Sequence, residues 1–223
     1  MLFSTQAIKY FSGLRKPDLK FSGIEIINPY ERDDVKEIVK KFYSKFYNDS
    51  NKRIFVIGIN PGRFGGGLTG IAFTAPVTLR ELCGIENNFG SRKELSSKFI
   101  YTVVDQLGGV KKFFSRVFLT ALYPFAIIKD GKNYNYYDDK SLANTLKDGI
   151  VKTIKSQIEF GANRNFAVLL GKKNADYFFH INEKQKFFEK IFILEHPRYI
   201  MQYKLKQIDQ YINKYIDTIN FQQ

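Results

Sequence analysis

Two side chains in this chain pair an amide with an imidazole, and each stands where a ligand could reach it. The first is Asn60, in the loop Gly58-Ile59-Asn60-Pro61-Gly62-Arg63-Phe64-Gly65-Gly66-Gly67-Leu68-Thr69-Gly70-Ile71-Ala72-Phe73. Five further glycines follow Gly58 there, so the backbone can turn sharply and come close to a ligand. Phe73 closes the loop with a planar ring. The second is His196, in Glu195-His196-Pro197-Arg198-Tyr199. Alone, such a histidine reads as a partly buried structural residue. Beside the Asn60 loop it reads as half of a site. His180 reads as a helix-end residue without a role.

Several chemistries are poorly served by these residues. No Ser, Cys or Lys accompanies His196 in sequence, so an activated nucleophile is not evident. The loop lacks the Gly-Lys-Ser/Thr ending of a triphosphate-binding loop and the Gly-x-Gly-x-x-Gly spacing of a dinucleotide fold. Two histidines and one cysteine make a zinc site improbable, and no metal or cofactor is expected. No glycosidase-like carboxylate pair stands at either loop. A neutral amide can hold a water, and an imidazole can stabilise an anion. That pair suits hydrolysis of an N-glycosidic bond, where negative charge collects on the departing base.

The elements that must position the pair follow from apolar patterning. Short apolar runs predict buried strands at 53–59, 117–122, 165–170 and 190–194. Helical spacing predicts helices at 33–46, 97–107, 141–158 and 201–219. Alternation of the two predicts an α/β fold, a three-layer α/β/α sandwich around a central, mostly parallel four-stranded sheet, in one domain over 1–223. Ligands of such sheets bind outside the carboxyl ends of the strands, where Asn60 and His196 both lie. The polar stretch 129–140 is taken as a connector.

The composition points to an anionic partner. The net charge is +13 in 223 residues, which favours nucleic acid. Cys83 reads as a buried thiol. No apolar run is long enough to span a membrane, and the first twenty residues do not resemble a signal peptide. A monomer in a bacterial cytoplasm, associated with the nucleoid, is the expectation.

The stretch 58–73 resembles the first motif of single-strand-selective monofunctional uracil-DNA glycosylases, a branch of the uracil-DNA glycosylase superfamily. The family pattern runs Gly-Met-Asn-Pro-Gly-Pro-Phe-Gly, three variable residues, then Thr-Gly-Val-Pro-Phe; this chain matches it in register without a gap. His196-Pro197 matches the start of the second motif, and the likeness spans about 50–210, as in a divergent bacterial subgroup. The resemblance implies that Asn60 positions the attacking water, His196 bonds the departing base and Phe73 stacks on it. Ile59 and Gly62 would shape the pocket around the base, with Thr120 and Ala121 beside it. Lys172 and Lys173 would meet phosphates, and Arg198, Tyr199, Ile200 and Met201 would wedge the duplex or contact DNA. The partner implied is DNA containing damaged bases, single- or double-stranded, whose target nucleotide must leave the stack.

Three departures bear on specificity. The family asparagine that reads the pyrimidine edge is Ala121 here, with Thr120 beside it. Gly66 and Gly67 replace bulkier residues, and His-Pro-Arg-Tyr-Ile stands where the family has His-Pro-Ser-Pro. A pocket that accepts hypoxanthine, xanthine or 5-hydroxymethyluracil besides uracil is therefore expected. Two other readings remain open on the sequence: a binder of damaged or abasic DNA that cleaves nothing, and a nucleotide-binding α/β protein unrelated to repair.

Overall fold

A computed structural model describes residues 1–19 and 21–221. Along the chain, α1 (Phe3–Gly13) and β1 (Ile24–Ile27) precede the long α2 (Asp33–Phe46). Strand β2 (Arg53–Gly58) then enters the glycine loop, which carries the short helices α3 (Gly66–Thr69) and α4 (Pro76–Glu81). Next come α5 (Leu95–Gln106), α6 (Gly109–Phe114), β3 (Val117–Ala121) and the pair β4 (Ala126–Lys129) and β5 (Lys132–Tyr134). The chain ends through α7 (Lys140–Ile158), β6 (Ala162–Leu170), α8 (Lys172–Gln185), β7 (Lys190–Leu194), α9 (Pro197–Tyr203) and α10 (Ile208–Ile219).

Strand β2 is buried at every position, which its unbroken run Ile54-Phe55-Val56-Ile57 requires of a strand covered on both faces. It lies between β3 and β6 in a four-stranded sheet of order β3-β2-β6-β7, parallel throughout. Helices on both faces complete the expected three-layer sandwich. In α2, Asp33 and Asp34 open the first turn and Lys45 sits in the last, matching the helix dipole. One face of α2 buries Val35, Ile38, Val39, Phe42 and Phe46. Each such side chain contributes roughly 1.5–3 kcal/mol. At the amino end of β2 the buried Arg53 guanidinium lies against the stacked rings of Phe3 and Tyr47, 4.6 and 4.7 Å from their centres. It donates to Phe114 O and Asn51 O and pairs with Asp49 at 2.9 Å, so the buried charge is satisfied. That end of the sheet is locked; the carboxyl end opens into loops.

The structure departs from the sequence expectations in several places, among them helices α6 and α8, which no expected helix covers. Strand β6 begins at Ala162, three residues early. Helix α1 has Leu2 at its N-cap with no side-chain cap, so no boundary signal marked it, yet Phe3, Ala7 and Phe11 are core residues. A second, antiparallel sheet of order β1-β4-β5 exists. Its hairpin turns on Asp130-Gly131, both at positive φ (48° and 71°), the geometry that suits a two-residue turn. Lastly, the expected helix 201–219 is two helices. The first starts at Pro197, favoured in a first turn, and stops at Lys204, whose backbone is not helical.

Candidate active site

The strand ends converge on a cavity of about 330 Å³. β2 delivers Ile59 and Asn60, β3 delivers Ala121, and β7 delivers His196, all as cavity-lining residues. The volume is in the range of small-ligand sites, and the location is the one an open parallel sheet favours.

Asn60 does two things at once. Its Nδ2 donates to Tyr134 O at 3.0 Å, and its Oδ1 accepts from Tyr136 N–H at 3.2 Å. One amide proton and one oxygen lone pair remain for a water. The segment after β5 is thereby tied to the site. Tyr136 is fully buried and donates through its hydroxyl to Asn174 Oδ1 at 2.9 Å; Asn174 in turn donates to Ile57 O and Leu170 O. The stretch 129–140 is therefore not a plain connector: Asn133, Tyr134 and Asn135 form a wall of the cavity.

His196 is the N-cap of α9. Its Nδ1 accepts from the backbone N–H of Arg198 at 3.2 Å. Burial, with the nearby Arg198 charge adding to it, pushes its pKa down to about 4. At neutral pH the ring is therefore uncharged, and with Nδ1 accepting, the proton resides on Nε2. A neutral donor is thus preset for an oxygen that gains charge.

Phe73 lies 6.0 Å from the His196 ring, centre to centre, at 46°. Its backbone is in the left-handed region, φ 56°, a conformation that costs a side-chain-bearing residue about 1–2 kcal/mol. What holds it is Gly58: a Cβ there would meet Phe73 Cζ at 2.5 Å. The bare strand end is the shelf on which the ring rests.

Other expected residues divide. Ile59, Gly62, Ala121, Arg198 and Tyr199 line the cavity. Thr120 does not: successive strand residues face opposite ways, and its hydroxyl is buried against Gln157 of α7 at 2.6 Å. Ile200 is fully buried in the core and cannot wedge DNA. Met201 packs against the core and is not among the cavity-lining residues. Exposed aromatics at the rim are instead Tyr199 and Tyr203, with ring centres 5.5 Å apart. Lys172 and Lys173 are exposed in the first turn of α8, at the same end of the sheet but off the cavity wall.

Sequence reasoning missed Glu94, Asn133, Asn135, Gln202 and Tyr203, all of which line the cavity. For the two asparagines a signal existed, the Asp130-Gly131 hairpin turn. Glu94 had none. Its carboxyl is pushed up to about 7 by burial, against the opposing pull of Arg198.

The comparisons agree with this geometry. Residues 44–220 match the uracil DNA glycosylase superfamily. No curated protein matches the chain by sequence. The crystal structure of wild-type SMUG2 from Pedobacter heparinus is 37% identical, with a TM-score of 0.93 over 98% of this chain and 97% of that one. An amide and a neutral imidazole facing one cavity, in a chain so matched, make this a DNA glycosylase belonging to the uracil-DNA glycosylase superfamily, in its single-strand-selective monofunctional branch.

Proposed function

We propose that the protein hydrolyses the N-glycosidic bond of uracil, and of other deaminated or oxidised bases, in DNA and leaves an abasic site. The observation that carries this reading is the pair Asn60 and His196, brought from separate strands to one cavity with Phe73 beside them. The extruded base stacks on Phe73. As the C1′–N bond lengthens, its electron pair passes to the base, and His196 Nε2–H donates to the carbonyl oxygen where charge collects. A water held by Asn60 adds its oxygen to C1′, and its proton leaves to the base or to solvent. No lysine lines the cavity among the described residues, which supports a monofunctional enzyme with no imine-forming amine.

Ala121 supports the broader substrate range. An alanine methyl offers neither donor nor acceptor to a pyrimidine edge, so the polar readout that would reject hypoxanthine, xanthine or 5-hydroxymethyluracil is missing there. We place the enzyme in the cytoplasm, acting as a monomer on single- or double-stranded DNA. The test is incubation with labelled oligonucleotides carrying one uracil, hypoxanthine, xanthine or 5-hydroxymethyluracil, followed by alkali. Breaks that appear only after alkali support the reading. Efficient cutting at uracil with none at the other three would sink the broad range, and breaks without alkali would sink the monofunctional assignment.

A further inference from the structure

Beside the base cavity runs a second depression of about 430 Å³, whose charged lining residues are Arg63, Lys93, Glu94, Lys132 and Arg198. The four cations arrive from four places: the glycine loop, the approach to α5, the first residue of β5 and α9. Among the described residues none of them is paired with a carboxylate. Arg63 is held by Gly131 O, yet its Nε–H is buried and unbonded. The Phe64 ring holds the guanidinium groups of both Arg63 and Arg92, at 4.5 and 4.2 Å from its centre, which keeps a fifth cation at the edge. Unpaired like charges repel one another, so their convergence calls for an anion between them.

Position says which anion. Glu94, Ser96, Asn133 and Arg198 line both this groove and the base cavity, so the two share a wall. In a nucleotide, one sugar separates base from phosphate. A base seated in the cavity therefore brings its phosphodiester to the cavity's border.

We propose that this groove seats the DNA phosphodiester next to the extruded nucleotide, with Arg63, Lys93, Lys132 and Arg198 as its contacts and Glu94 as the one group opposing it. The proposal rests on the DNA glycosylase reading above. Glu94 occupies the N-cap position of α5, where its backbone carbonyl accepts from Lys98 N–H, but its side chain does not cap, and its carboxyl makes no hydrogen bond or ion pair among the described residues. Its carboxyl fills the notch left by two glycines: a Cβ on Gly62 would meet Oε1 at 2.7 Å, and one on Gly65 would overlap Oε2. Facing it are Arg63, Lys93, Lys132 and Arg198, with His196 across the cavity. Burial already moves this carboxyl up to about 7, and a phosphate beside it moves it further the same way. DNA binding near neutral pH therefore takes up a proton at Glu94.

The experiment is fluorescence anisotropy of a labelled, undamaged oligothymidylate, titrated at several salt concentrations with wild type and variants. For Arg63→Ala, Lys93→Ala and Lys132→Ala the slope of log K against log salt should be shallower by about 0.7 each, one lost phosphate contact on a single strand. Lys111→Ala, exposed at the opposite end of the sheet, should keep the wild-type slope. Glu94→Gln should bind more tightly at about pH 8 and lose the wild type's decline in affinity between about pH 6 and 8. Wild-type slopes in all three groove variants, with shallower ones in Lys172→Ala and Lys173→Ala, would overturn the assignment. An unchanged pH dependence in Glu94→Gln would remove the carboxylate from it. A wild-type protein that neither binds DNA nor cuts a uracil-bearing strand would instead refute the glycosylase reading itself.

Discussion

Replacing Asn60 by alanine should damage two things that the sequence alone would count as one. From the motif, the change slows cleavage and spares DNA affinity. The structure adds a mechanical cost, because the amide ties Tyr134 O and Tyr136 N–H to the strand end. Each such bond contributes about 1 kcal/mol net, so the variant loses roughly 2 kcal/mol of stability. For a chain of 223 residues, about 2–4 °C of Tm follows each kcal/mol, giving a fall of about 4–8 °C. Differential scanning calorimetry measures that, and hydrogen exchange reads the Tyr136 amide directly. Single-turnover cleavage well below the melting range should drop about a hundredfold or more, the usual cost of removing one preorganised polar group. Asn135 lies within the released segment and Asn133 beside it, and both line the cavity, so affinity should fall modestly as well. An Asn60→Ala protein with wild-type Tm and unchanged Tyr136 exchange would show that the amide holds nothing in place.

Other outcomes follow from the same geometry. Gly58→Ala puts a methyl 2.5 Å from Phe73 Cζ, so the ring must lift; stability should fall by about 1–3 kcal/mol and capture of the extruded base should weaken in stopped-flow base-flipping assays. Ala121→Asn restores an amide at the pocket edge, and kcat/KM for uracil over hypoxanthine should rise about tenfold or more, the worth of one well-made hydrogen bond. For His196 the folded pKa of about 4 lies below the ordinary 6.5, so the unfolded chain takes up the proton first as pH falls. Its contribution to stability is present above 6.5 and is lost between 6.5 and 4; urea midpoints of wild type and His196→Asn should diverge only above that window and draw together through it.

How much of this was legible in the residues depended on whether the signal was local. The four strands of the parallel sheet were readable because each carries a short apolar run, which burial on both faces demands of β2, β3 and the second half of β6 and which the edge strand β7 keeps although it is only partly buried. Asn60 and His196 were readable because each follows such a run directly. The antiparallel sheet was lost because β1 and β5 are four and three residues long and only partly buried, too short for alternation to register. Thr120 was misplaced although the pleat alone would have turned it away from Ala121. Ile200 was misplaced because the expected helix began too late; starting it at Pro197 turns Ile200 to the core and Tyr199 outward. Glu94 left no trace, since its role depends on a notch made by residues some thirty positions earlier in the chain.

Three local irregularities meet at the cavity: Phe73 in the left-handed region, Glu94 at a cap position it does not cap, and Asn60 spending its amide on a distant segment. Natural sequences break local rules where function asks for it, and the cost is borne by the surrounding fold. Glu94 makes that cost measurable. Its carboxyl holds a proton up to about pH 7, against a usual 4.5, because burial disfavours the charged form. The unfolded chain therefore releases that proton first as pH rises. Stability from the neutral carboxyl is complete below 4.5 and is lost as pH climbs through about 7. A glutamine is neutral throughout and nearly isosteric. Glu94→Gln should melt with the wild type near pH 4.5 and above it at pH 8, by a margin that grows across the interval. A constant difference at every pH would mean that the carboxylate is solvated after all, and that the glycine notch does not bury it.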